Sequence, residues 1–449
     1  SMFKLKPKIS ILMPTYNTPK HLLRETIESV INQIYDNWEL CIADDNSSME
    51  HVKKIIEEYR SKYPEKIKVR YRDTNGHICE ASNTALELAT GEYIALLDHD
   101  DILTPFALYY VVREINKNPD LIMIYSDEDK LLESGLRDDP YFKPKYNPDL
   151  LLSQNYITHF LVLKTDVAKK LGGFRKGTEG SQDHDIILRA SIFIKKDEDV
   201  AHIPKILYHW RVWAGSTASS PDVKPYAWVN GRKAIEDFLK AKGIFNAKVD
   251  FGKNEGTYRV YYEIPKNVYA SIIIAGASDK EFIKELLHQI NKTISHEKYE
   301  IILLIEEGKK EGLLSDDLEG IKDKLRVITT DPIPITISYN KGVKFSEGEV
   351  LVFLGSYSKP LNPGWFEELV ANAIRQEIGC VGAKIYYPDG RIFSGGIVLG
   401  IMNGVGHLFR GWPGDSPGEK VWLRCSRNVS AVSGVCFAIR KIVFQEAGW

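Results

Sequence analysis

GEYIALLDHDD, at residues 91–101, is the stretch that decides the fold, because an apolar run here ends in a cluster of acids. Such a run is typical of a strand that is buried on both faces. Similar runs precede it, and apolar residues at helical spacing fill the intervals between them. The earlier runs are KISILMP (8–14), WELCIADD (38–45) and IKVRYRD (67–73). Strands that alternate with helices predict an α/β fold with a mostly parallel sheet and helices on both faces.

The acids of this pattern lie where such a sheet binds its ligands, which is beyond the carboxyl ends of the strands. One group is Asp44 and Asp45, and the other is the run Asp98-His99-Asp100-Asp101. Two carboxylates separated by one residue can hold a hard divalent cation against a nucleoside diphosphate. An acidic loop or a helix cap would give the same short run, so the residues alone leave both interpretations open.

Three further segments carry polar residues, and each has two interpretations. DDNSS (44–48) offers a carboxylate to the imide N–H of a uracil or thymine ring, or it is an ordinary turn. SQDHDIILR (181–189) places Asp183 at a helix N-terminus, where acids also act as simple caps. KILYHWR (205–211) indicates a strand with His209 and Arg211 on one face, and a lone histidine there is more often structural than a ligand.

Five segments together resemble the family 2 glycosyltransferases of GT-A fold. They occur in family order over about residues 8–220, and they are PTYN (14–17), DDNSS, ATGEYIALLDHDD (89–101), GGF…SQDHDIILR (172–189) and YHWRVWAGSTAS (208–219). The resemblance implies the Rossmann-like fold of nucleotide-diphospho-sugar transferases. It also implies an inverting, metal-dependent transfer of a sugar from a UDP- or dTDP-linked donor. The implied acceptor is a hydroxyl of a growing cell-surface polysaccharide, such as O-antigen or capsule, or of a lipid-linked glycan.

The resemblance also assigns roles to individual residues. Asp98 and Asp100 match the family's Asp-x-Asp motif, which holds Mg²⁺ or Mn²⁺ against the diphosphate, and His209 stands where a third metal ligand is expected. Asp183 matches the aspartate of the family's Glu-Asp motif and is the expected catalytic base, although Gln182 replaces the glutamate. The expected nucleotide-sugar pocket comprises Pro14, Thr15, Tyr16, Asp44 or Asp45, Asp98 and Arg211.

Asp185 is the alternative base. It lies two residues beyond Asp183, so on a helix its side chain points elsewhere. We therefore expect Asp183 to remove the proton of the acceptor hydroxyl as that oxygen attacks the anomeric carbon. The metal ion is expected to offset the charge on the departing diphosphate.

The pattern of the first half recurs in the second half. VYASIIIAGAS (268–278) is similar to KISILMPTYN (8–17), and KYEIILLIEEG (298–308) is similar to NWELCIADDNS (37–47). Aligning Gly91 with Gly348 gives an offset of 257 residues. Such a long period predicts two copies of one α/β domain rather than a solenoid.

The predicted domains are a catalytic GT-A domain at 1–265 and a second GT-A-like domain at 266–449, connected through the stretch around 242–267. The second copy lacks the equivalent aspartates, because Gly355-Ser356-Tyr357 replaces the Asp-x-Asp motif and Glu306-Glu307-Gly308-Lys309 replaces DDNS. It also stops early, since Trp449 corresponds to Phe174. We expect the second domain to be inactive in metal-dependent transfer and to position the acceptor, dimerise or brace the first domain.

The composition excludes several classes of protein. The net charge of −2 provides no general attraction to nucleic acid or anionic lipid. Five scattered cysteines without CxxC pairs favour a reducing compartment over a disulfide framework or a zinc site. No apolar stretch approaches the roughly 18 residues that a membrane span requires. We expect a cytoplasmic protein, and peripheral contact with the inner face of the cell membrane stays open.

Two other functions were weighed against glycosyl transfer. A nucleotidyltransferase also uses paired carboxylates with a divalent metal, but it normally shows a glycine-rich, basic phosphate loop near the first strand. LMPTYNTPK (12–20) has no glycine and no basic cluster. A non-catalytic glycan-binding scaffold fits 266–449 better than 1–265, where the expected polar positions are filled.

Overall fold

The computed structural model describes residues 3–213, 225–277, 279–307, 316–331, 333–401 and 403–448. The end of the motif at 208–219, together with Gly308, Lys309 and Trp449, lies outside these residues. Contacts divide the chain into two compact units. Unit 1 comprises Ser1–Phe245, Val249–Val260 and Arg424–Arg427, and unit 2 comprises Asn246–Lys248, Tyr261–Leu423 and Asn428–Trp449.

Unit 1 is built on a mixed sheet. Its described strands are β1 (Ile9–Thr15), β2 (Trp38–Asp44), β3 (Ile67–Tyr71), β4 (Tyr93–Leu96), β5 (Ile102–Leu103), β6 (Met123–Leu132), β7 (Arg137–Tyr141), β8 (Leu161–Lys164) and β9 (Val200–Val212). They lie in the order β3-β2-β1-β4-β8-β6-β9-β5, and β7 pairs with β6. β1 and β2 are buried at every position, as their unbroken apolar runs predict.

Helices cover the sheet and supply much of the core. The described helices are α1 (Lys20–Ile31), α2 (Glu50–Lys62), α3 (His77–Leu88), α4 (Ala107–Lys117), α5 (Pro148–Ser153), α6 (Thr165–Lys170), α7 (Gln182–Ser191) and α8 (Pro225–Ala241). One core cluster joins Ile9 and Leu40 of the sheet to Leu23, Ile55 and Val111 of the helices. The α/β prediction is therefore confirmed for this unit.

The four strands predicted from residues 8–101 are parallel, and two other parts of the chain add to the predicted pattern. The strands β3, β2, β1 and β4 are parallel to one another, but β8 pairs antiparallel with both β4 and β6. The sheet is mixed because β8 runs against both of its neighbours and β7 returns antiparallel along β6. The stretch around 242–267 is also more than a connection, since it forms strands β10 (Ala247–Phe251) and β11 (Tyr258–Tyr262), which pair with each other.

Unit 2 contains a second α/β sheet with three parallel pairings. Its elements are β12 (Ala270–Ala277), α9 (Lys280–Thr293), β13 (Tyr299–Glu306), β14 (Leu325–Thr330), α10 (Ile335–Phe345), β15 (Val350–Gly355), α11 (Trp365–Ala373), β16 (Cys380–Gly382), β17 (Ile385–Tyr386), β18 (Ile392–Ser394), β19 (Ile397–Ile401), β20 (Gly404–His407), β21 (Cys436–Arg440) and α12 (Lys441–Glu446). The sheet order is β14-β13-β12-β15-β21-β16, while β17–β18 and β19–β20 are separate pairs.

The registers of the two sheets match at the starts of the strands, although the register of β12 and β13 shifts between Ile274 and Ala277. In unit 1, Ile9 pairs with Trp38 and Tyr93, and Tyr93 pairs with Lys164. In unit 2, Ala270 pairs with Tyr299 and Val350, and Val350 pairs with Arg440. The strand directions also agree, since β21 is antiparallel to β15 just as β8 is antiparallel to β4.

A buried polar network ties together the amino ends of four strands in unit 1, β1 to β4, and we call it the amino-edge network. Ser10 Oγ donates to Glu39 Oε1 at 2.7 Å, and the Gly91 N–H donates to Ser10 Oγ at 2.8 Å. The Thr90 N–H donates to the same Glu39 oxygen at 2.6 Å. Lys68 Nζ completes the set, 2.8 Å from Glu39 Oε2. The buried carboxylate is thus fully satisfied, as a low-dielectric interior requires.

Unit 2 contains the same arrangement. Ser271 Oγ donates to Glu300 Oε1 at 2.6 Å, and the Gly348 N–H donates to Ser271 Oγ at 2.8 Å. The Glu347 N–H donates to Glu300 Oε1 at 2.6 Å. Each network lies at the amino ends of its own strands, and in unit 1 that is the edge of the sheet opposite the predicted site.

Two expectations from composition can be compared with the described residues. All five cysteines are free. Within the described ranges, the helices are either too short or too polar to cross a bilayer.

Candidate active site

A cavity at the carboxyl ends of β1 and β4 brings together residues that are distant in sequence. It contains Pro14 of β1, Asp98 from the loop after β4, and Asp183 from the first turn of α7. The complete lining is Leu12, Pro14, Ile78, Ser82, Leu96, Leu97, Asp98, Thr158, His159, Phe174, Gln182 and Asp183. Two carboxylates expected to have different roles therefore face one space.

The acidic run adopts a turn in which each side chain has its own contacts. The Asp98 carboxylate is 47% exposed, and its Oδ2 lies 3.6 Å from His159 Nε2. His99 Nδ1 is 2.7 Å from Thr18 Oγ1. Asp100 accepts a hydrogen bond from Trp213 Nε1 at 2.7 Å. The run is thus held open at the sheet edge and does not cap a helix, since the next helix begins at Ala107.

Asp101 is the structural member of the run. It is buried, and it accepts hydrogen bonds from Tyr208 Oη at 2.6 Å and from the Arg211 N–H at 2.8 Å. Burial raises the pKa of Asp101 well above its usual value, and the neighbouring Asp100 and Asp98 raise it further. The residue connects the acidic loop to β9, which carries His209 and Arg211.

Asp44 and Asp45 have different environments, although both are buried. Asp45 is saturated, because it pairs with Arg72 at 2.9 Å and accepts the Gly76 N–H at 3.0 Å. Asp44 Oδ2 accepts the Ser47 N–H at 3.2 Å, whereas its Oδ1 has no hydrogen-bond partner among the described residues. A buried acceptor without a donor is costly unless a ligand supplies one. Of the two aspartates predicted to contact the nucleotide base, Asp44 is the one whose carboxylate has an oxygen available to accept a hydrogen bond from it.

The residues predicted to bind the nucleotide lie at the end of β1, beside Asp44. They are Pro14, Thr15 and Tyr16, and we call the surface that they form the ledge. Pro14 lines the cavity, Thr15 is buried, and Tyr16 is 46% exposed. The Thr15 carbonyl accepts the Asp45 N–H at 2.8 Å, which joins the ledge to the loop after β2.

Asp183 and Asp185 are separated by the structure as the helix argument predicts. Asp183 lines the cavity and accepts Asn155 Nδ2 at 2.9 Å on its Oδ2. Asp185 is fully buried on another face of α7, where it pairs with Arg175 and with Arg189 at 2.7 Å. Its two guanidinium partners leave it no access to the cavity, so its contacts are those of a structural residue.

His209 and Arg211 lie on β9. His209 Nδ1 is hydrogen-bonded to the buried Asp129. Arg211 is 5% exposed and donates from Nη1 to Glu25 at 2.8 Å, while its Nε and Nη2 have no hydrogen-bond partner among the described residues. Two buried N–H groups without acceptors suit an anionic ligand.

The predicted metal ligands Asp98, Asp100 and His209 can be compared with the acidic and histidine side chains that the structure brings together. Within the described part of the chain, the grouped ligand atoms are those of Asp98, Asp101 and His159, which lie within 4.8 Å of one another. Asp101 already accepts two hydrogen bonds, so it is poorly placed to bind an ion as well. The set predicted from the sequence therefore stays a prediction.

Four residues of the site were missed from the sequence: Glu128, Lys143, Asn155 and His159. Glu128 and Lys143 form a buried ion pair at 3.2 Å. Burial raises the pKa of Glu128, but the charges of Lys143 and His159 outweigh this effect and lower it. Burial lowers the pKa of His159, but Glu128 and Asp98 raise it well above the usual value. A signal existed, because SDEDK (126–130) extends an apolar run in the same way as the acids at 44–45 and 98–101.

Comparison with known proteins adds a family and its relatives. The family model described as glycosyl transferase family 2 matches residues 10–172. An uncharacterized protein of Sinorhizobium fredii is 39% identical over 446 residues, which is 98% of this chain and 49% of that protein. The O-antigen biosynthesis protein RfbC of Myxococcus xanthus is 30% identical over 450 residues, which is 99% of this chain and 34% of that protein.

A third relative is covered over most of its own length. An uncharacterized glycosyltransferase of Methanocaldococcus jannaschii is 30% identical over 213 residues, which is 46% of this chain and 71% of that protein. The chain spans about half or less of the length of the first two relatives. The region matched by the family model begins within β1, contains β2 and the acidic run, and ends before Asp183. The chain belongs to glycosyl transferase family 2.

Proposed function

We propose that unit 1 transfers a sugar from a nucleoside-diphosphate sugar to a hydroxyl of a cell-surface polysaccharide or a lipid-linked glycan, with inversion at the anomeric carbon. The observation that supports this most is the single cavity shared by Asp98 and Asp183. One carboxylate lies at the strand end where a diphosphate would bind, and the other lies on a helix where an acceptor would approach. Membership of the family supports the same reaction class.

The donor is expected to lie along the ledge at β1. The Asp44 Oδ1 accepts the imide N–H of a uracil or thymine ring, and Pro14, Thr15 and Tyr16 border the base and ribose. Arg211 provides Nε and Nη2, which have no hydrogen-bond partner in the part of the chain that the structure describes, to the diphosphate. A buried guanidinium is effective here because charge-assisted hydrogen bonds are strong where water is excluded.

Asp183 is the proposed base. Its Oδ2 accepts from Asn155, which leaves Oδ1 to take the proton of the acceptor hydroxyl. As that oxygen forms its bond to the anomeric carbon, the bond from this carbon to the diphosphate breaks. The electron pair leaves with the diphosphate, and the proton stays on Asp183.

The acids at this edge fit a divalent cation, either Mg²⁺ or Mn²⁺. Asp98 and Asp100 offer the carboxylate oxygens that these ions prefer. A carboxylate that binds one nitrogen of a histidine orients the other nitrogen for a metal, and Asp129 holds His209 in this way. A bound ion would offset the negative charge that develops on the departing diphosphate.

Unit 2 is proposed to be a second copy of the same domain that has lost its chemistry. The matched registers and the repeated amino-edge network support a common architecture. Gly355, Ser356 and Tyr357 provide no carboxylate at the strand end, and the described residues of this unit contain no cluster suited to a metal. A role as an acceptor-positioning or glycan-binding scaffold fits this unit best. We also propose that the protein acts at the cytoplasmic face of the membrane, where lipid-linked acceptors are available.

A donor screen tests the proposal directly. The chain is incubated with UDP-, dTDP- and GDP-sugars plus Mn²⁺, and release of the nucleoside diphosphate is measured. We expect one donor to be turned over, and we expect EDTA and Asp100→Ala to abolish the reaction. Asp138→Ala, the same change at an exposed position of β7, should leave it intact.

A binding measurement complements the screen. The matching nucleoside diphosphate should raise the melting temperature only with Mn²⁺, since a ligand at 100 times its Kd stabilises the folded state by about 2.7 kcal/mol. The proposal would be abandoned if no donor were turned over and no nucleoside diphosphate stabilised the chain. Release of pyrophosphate from a nucleoside triphosphate would instead indicate a nucleotidyltransferase.

A further inference from the structure

Residues 154–160, which we call the bridging segment, contact both carboxylates of the cavity. Near one end, Asn155 Nδ2 donates to Asp183 Oδ2 at 2.9 Å. Near the other end, His159 Nε2 lies 3.6 Å from Asp98 Oδ2. Thr158 and His159 also line the cavity itself. The expected base and the expected diphosphate-side acid are therefore both supported by one short piece of chain.

Glu128 holds the bridging segment from the side of β6. It is 4% exposed, and it accepts hydrogen bonds from Thr158 Oγ1 at 2.9 Å and from the His159 N–H at 3.0 Å. His159 Nδ1 is 3.1 Å from the same carboxylate. Because an ionised carboxylate only accepts, Nδ1 carries a proton in this arrangement. One buried side chain thus determines both the path of the segment and the orientation of the imidazole.

Lys143 holds the segment through its carbonyl groups. Its side chain is fully buried, and Nζ donates to the carbonyl of Ile157 at 2.6 Å and to that of His159. Nζ is also 3.2 Å from Glu128 Oε2, so the two charges compensate each other. The backbone N–H of Lys143 is fixed in turn by Asp127 Oδ1 at 2.9 Å. Glu128 therefore binds the N–H and hydroxyl groups of the segment, and Lys143 binds its carbonyl groups.

We propose that Glu128 and Lys143 are positioning residues that set the placement of Asp98 relative to Asp183 through the bridging segment. This inference rests on the proposed function for its kinetic consequences. Since both acids depend on one segment, a shift of that segment changes proton removal and donor binding together. A pair that acted only on stability would lower the melting temperature and leave the kinetics of the folded fraction unchanged.

Kinetics of Glu128→Gln test the proposal. The new amide would turn its oxygen toward the His159 N–H and Lys143 Nζ, and its N–H₂ group would face Thr158 Oγ1. The negative charge that compensates the buried Lys143 would be lost, so the segment that both residues hold would move. We expect kcat to fall on the order of 10- to 100-fold, the cost of a displacement of about 1 Å at a reacting group, and KM for the donor to rise. Glu133→Gln, the same change at an exposed turn residue, is the control and should match the parent.

A double-mutant cycle shows whether Glu128 acts through Asn155. Asn155→Ala alone should lower kcat with little effect on donor KM. In the Glu128→Gln background it should cost much less, because residues that act through one contact are not additive. Full additivity would overturn the inference. Should Glu128→Gln fail to fold, Thr158→Val removes one of the same hydrogen bonds and should change the same parameters by a smaller factor.

Hydrogen exchange of the ligand-free chain separates this inference from the proposed function. Glu128→Gln should speed amide exchange in 154–160 and leave β1 and β2 unchanged. Unchanged exchange in the segment, or a uniform increase across unit 1, would overturn the inference whatever the activity. If the parent turned over no donor while the local change in exchange was found, the proposed function would fail and the hold of Glu128 on the segment would stand.

Discussion

Asp183→Asn gives the sharpest test of the proposed chemistry, because the replacement keeps the shape of the side chain. In the parent, Asn155 donates to Asp183 Oδ2. The new amide will turn its oxygen toward that donor, so its N–H₂ group will face the cavity and cannot accept a proton. Loss of a positioned general base lowers rates about 10²- to 10⁴-fold. That loss corresponds to about 3 to 5 kcal/mol on the activation barrier.

The assay measures release of nucleoside diphosphate at saturating donor and acceptor, with calorimetry of the nucleoside diphosphate alongside. We expect kcat to fall by the factor above and the affinity for the nucleotide to stay unchanged. Asp185→Asn is the matched control. Asp185 is fully buried between Arg175 and Arg189, and removing one partner of a buried pair costs about 3 kcal/mol or more of stability.

The two asparagine variants should therefore differ in kind. Asp183→Asn should fold like the parent and turn over slowly, whereas Asp185→Asn should melt earlier and keep the kcat of its folded fraction. A kcat for Asp183→Asn close to the parent value would refute the role of Asp183 as base. Loss of nucleotide affinity in that variant would refute the division between the two carboxylates.

Three further outcomes follow from the structure. Asp44→Asn should weaken binding of UDP by about 1.5 to 3 kcal/mol, because the buried acceptor Oδ1 would be replaced by an N–H₂ group that cannot accept. Equal affinity of the two proteins by calorimetry would contradict the contact to the nucleotide base. Burial raises the pKa of Glu39, but hydrogen bonds from Lys68, Ser10 and Thr90 outweigh this effect and lower the pKa from 4.5 to about 2. Because this pKa is depressed, the ionised Glu39 carboxylate contributes about 3 kcal/mol to the free energy of unfolding. That contribution is present above pH 4.5 and is lost as the pH falls toward 2. Urea unfolding of Glu39→Gln should show a flatter dependence in that range. Gly91→Ala should destabilise unit 1 by about 1 to 3 kcal/mol, since a Cβ there would lie 2.4 Å from the carbonyl of Lys8; an unchanged urea midpoint would refute this.

Much of the scaffold could be predicted because it depends on local pattern. The run KISILMP (8–14) predicted β1 at Ile9–Thr15 within one residue, and the acids at 44–45 and 98–101 do lie at strand ends. Asp98 and Asp183 share a cavity although 85 positions separate them in the chain. Strand order and direction were sufficient to predict the place of Asp98, whereas Asp183 was assigned through the resemblance to the family's motif.

The polar support of the site could not be predicted in the same way. Glu128 and His159 are 31 residues apart, and His209 meets Asp129 across a pairing of β6 with β9. Such pairs depend on strand register, which spacing in a sequence does not reveal. SDEDK (126–130) also resembles a solvated charged run until the structure shows that Asp127, Glu128 and Asp129 are buried. Burial of charges is a property of the tertiary fold.

The amino-edge network has a consequence for how this architecture can change. Its hydrogen bonds join the strands at the end remote from the cavity, and unit 2 keeps them although Gly355, Ser356 and Tyr357 at the end of β15 include no acid. The hydrogen bonds that hold the strands together thus lie at the amino ends of the sheet, which we call the fastening rim. The proposed reactive residues lie at the carboxyl ends, which we call the reactive rim. A variant library confined to the reactive rim can alter specificity without loosening the strands, and changes at the fastening rim should shift heat tolerance without altering the choice of sugar.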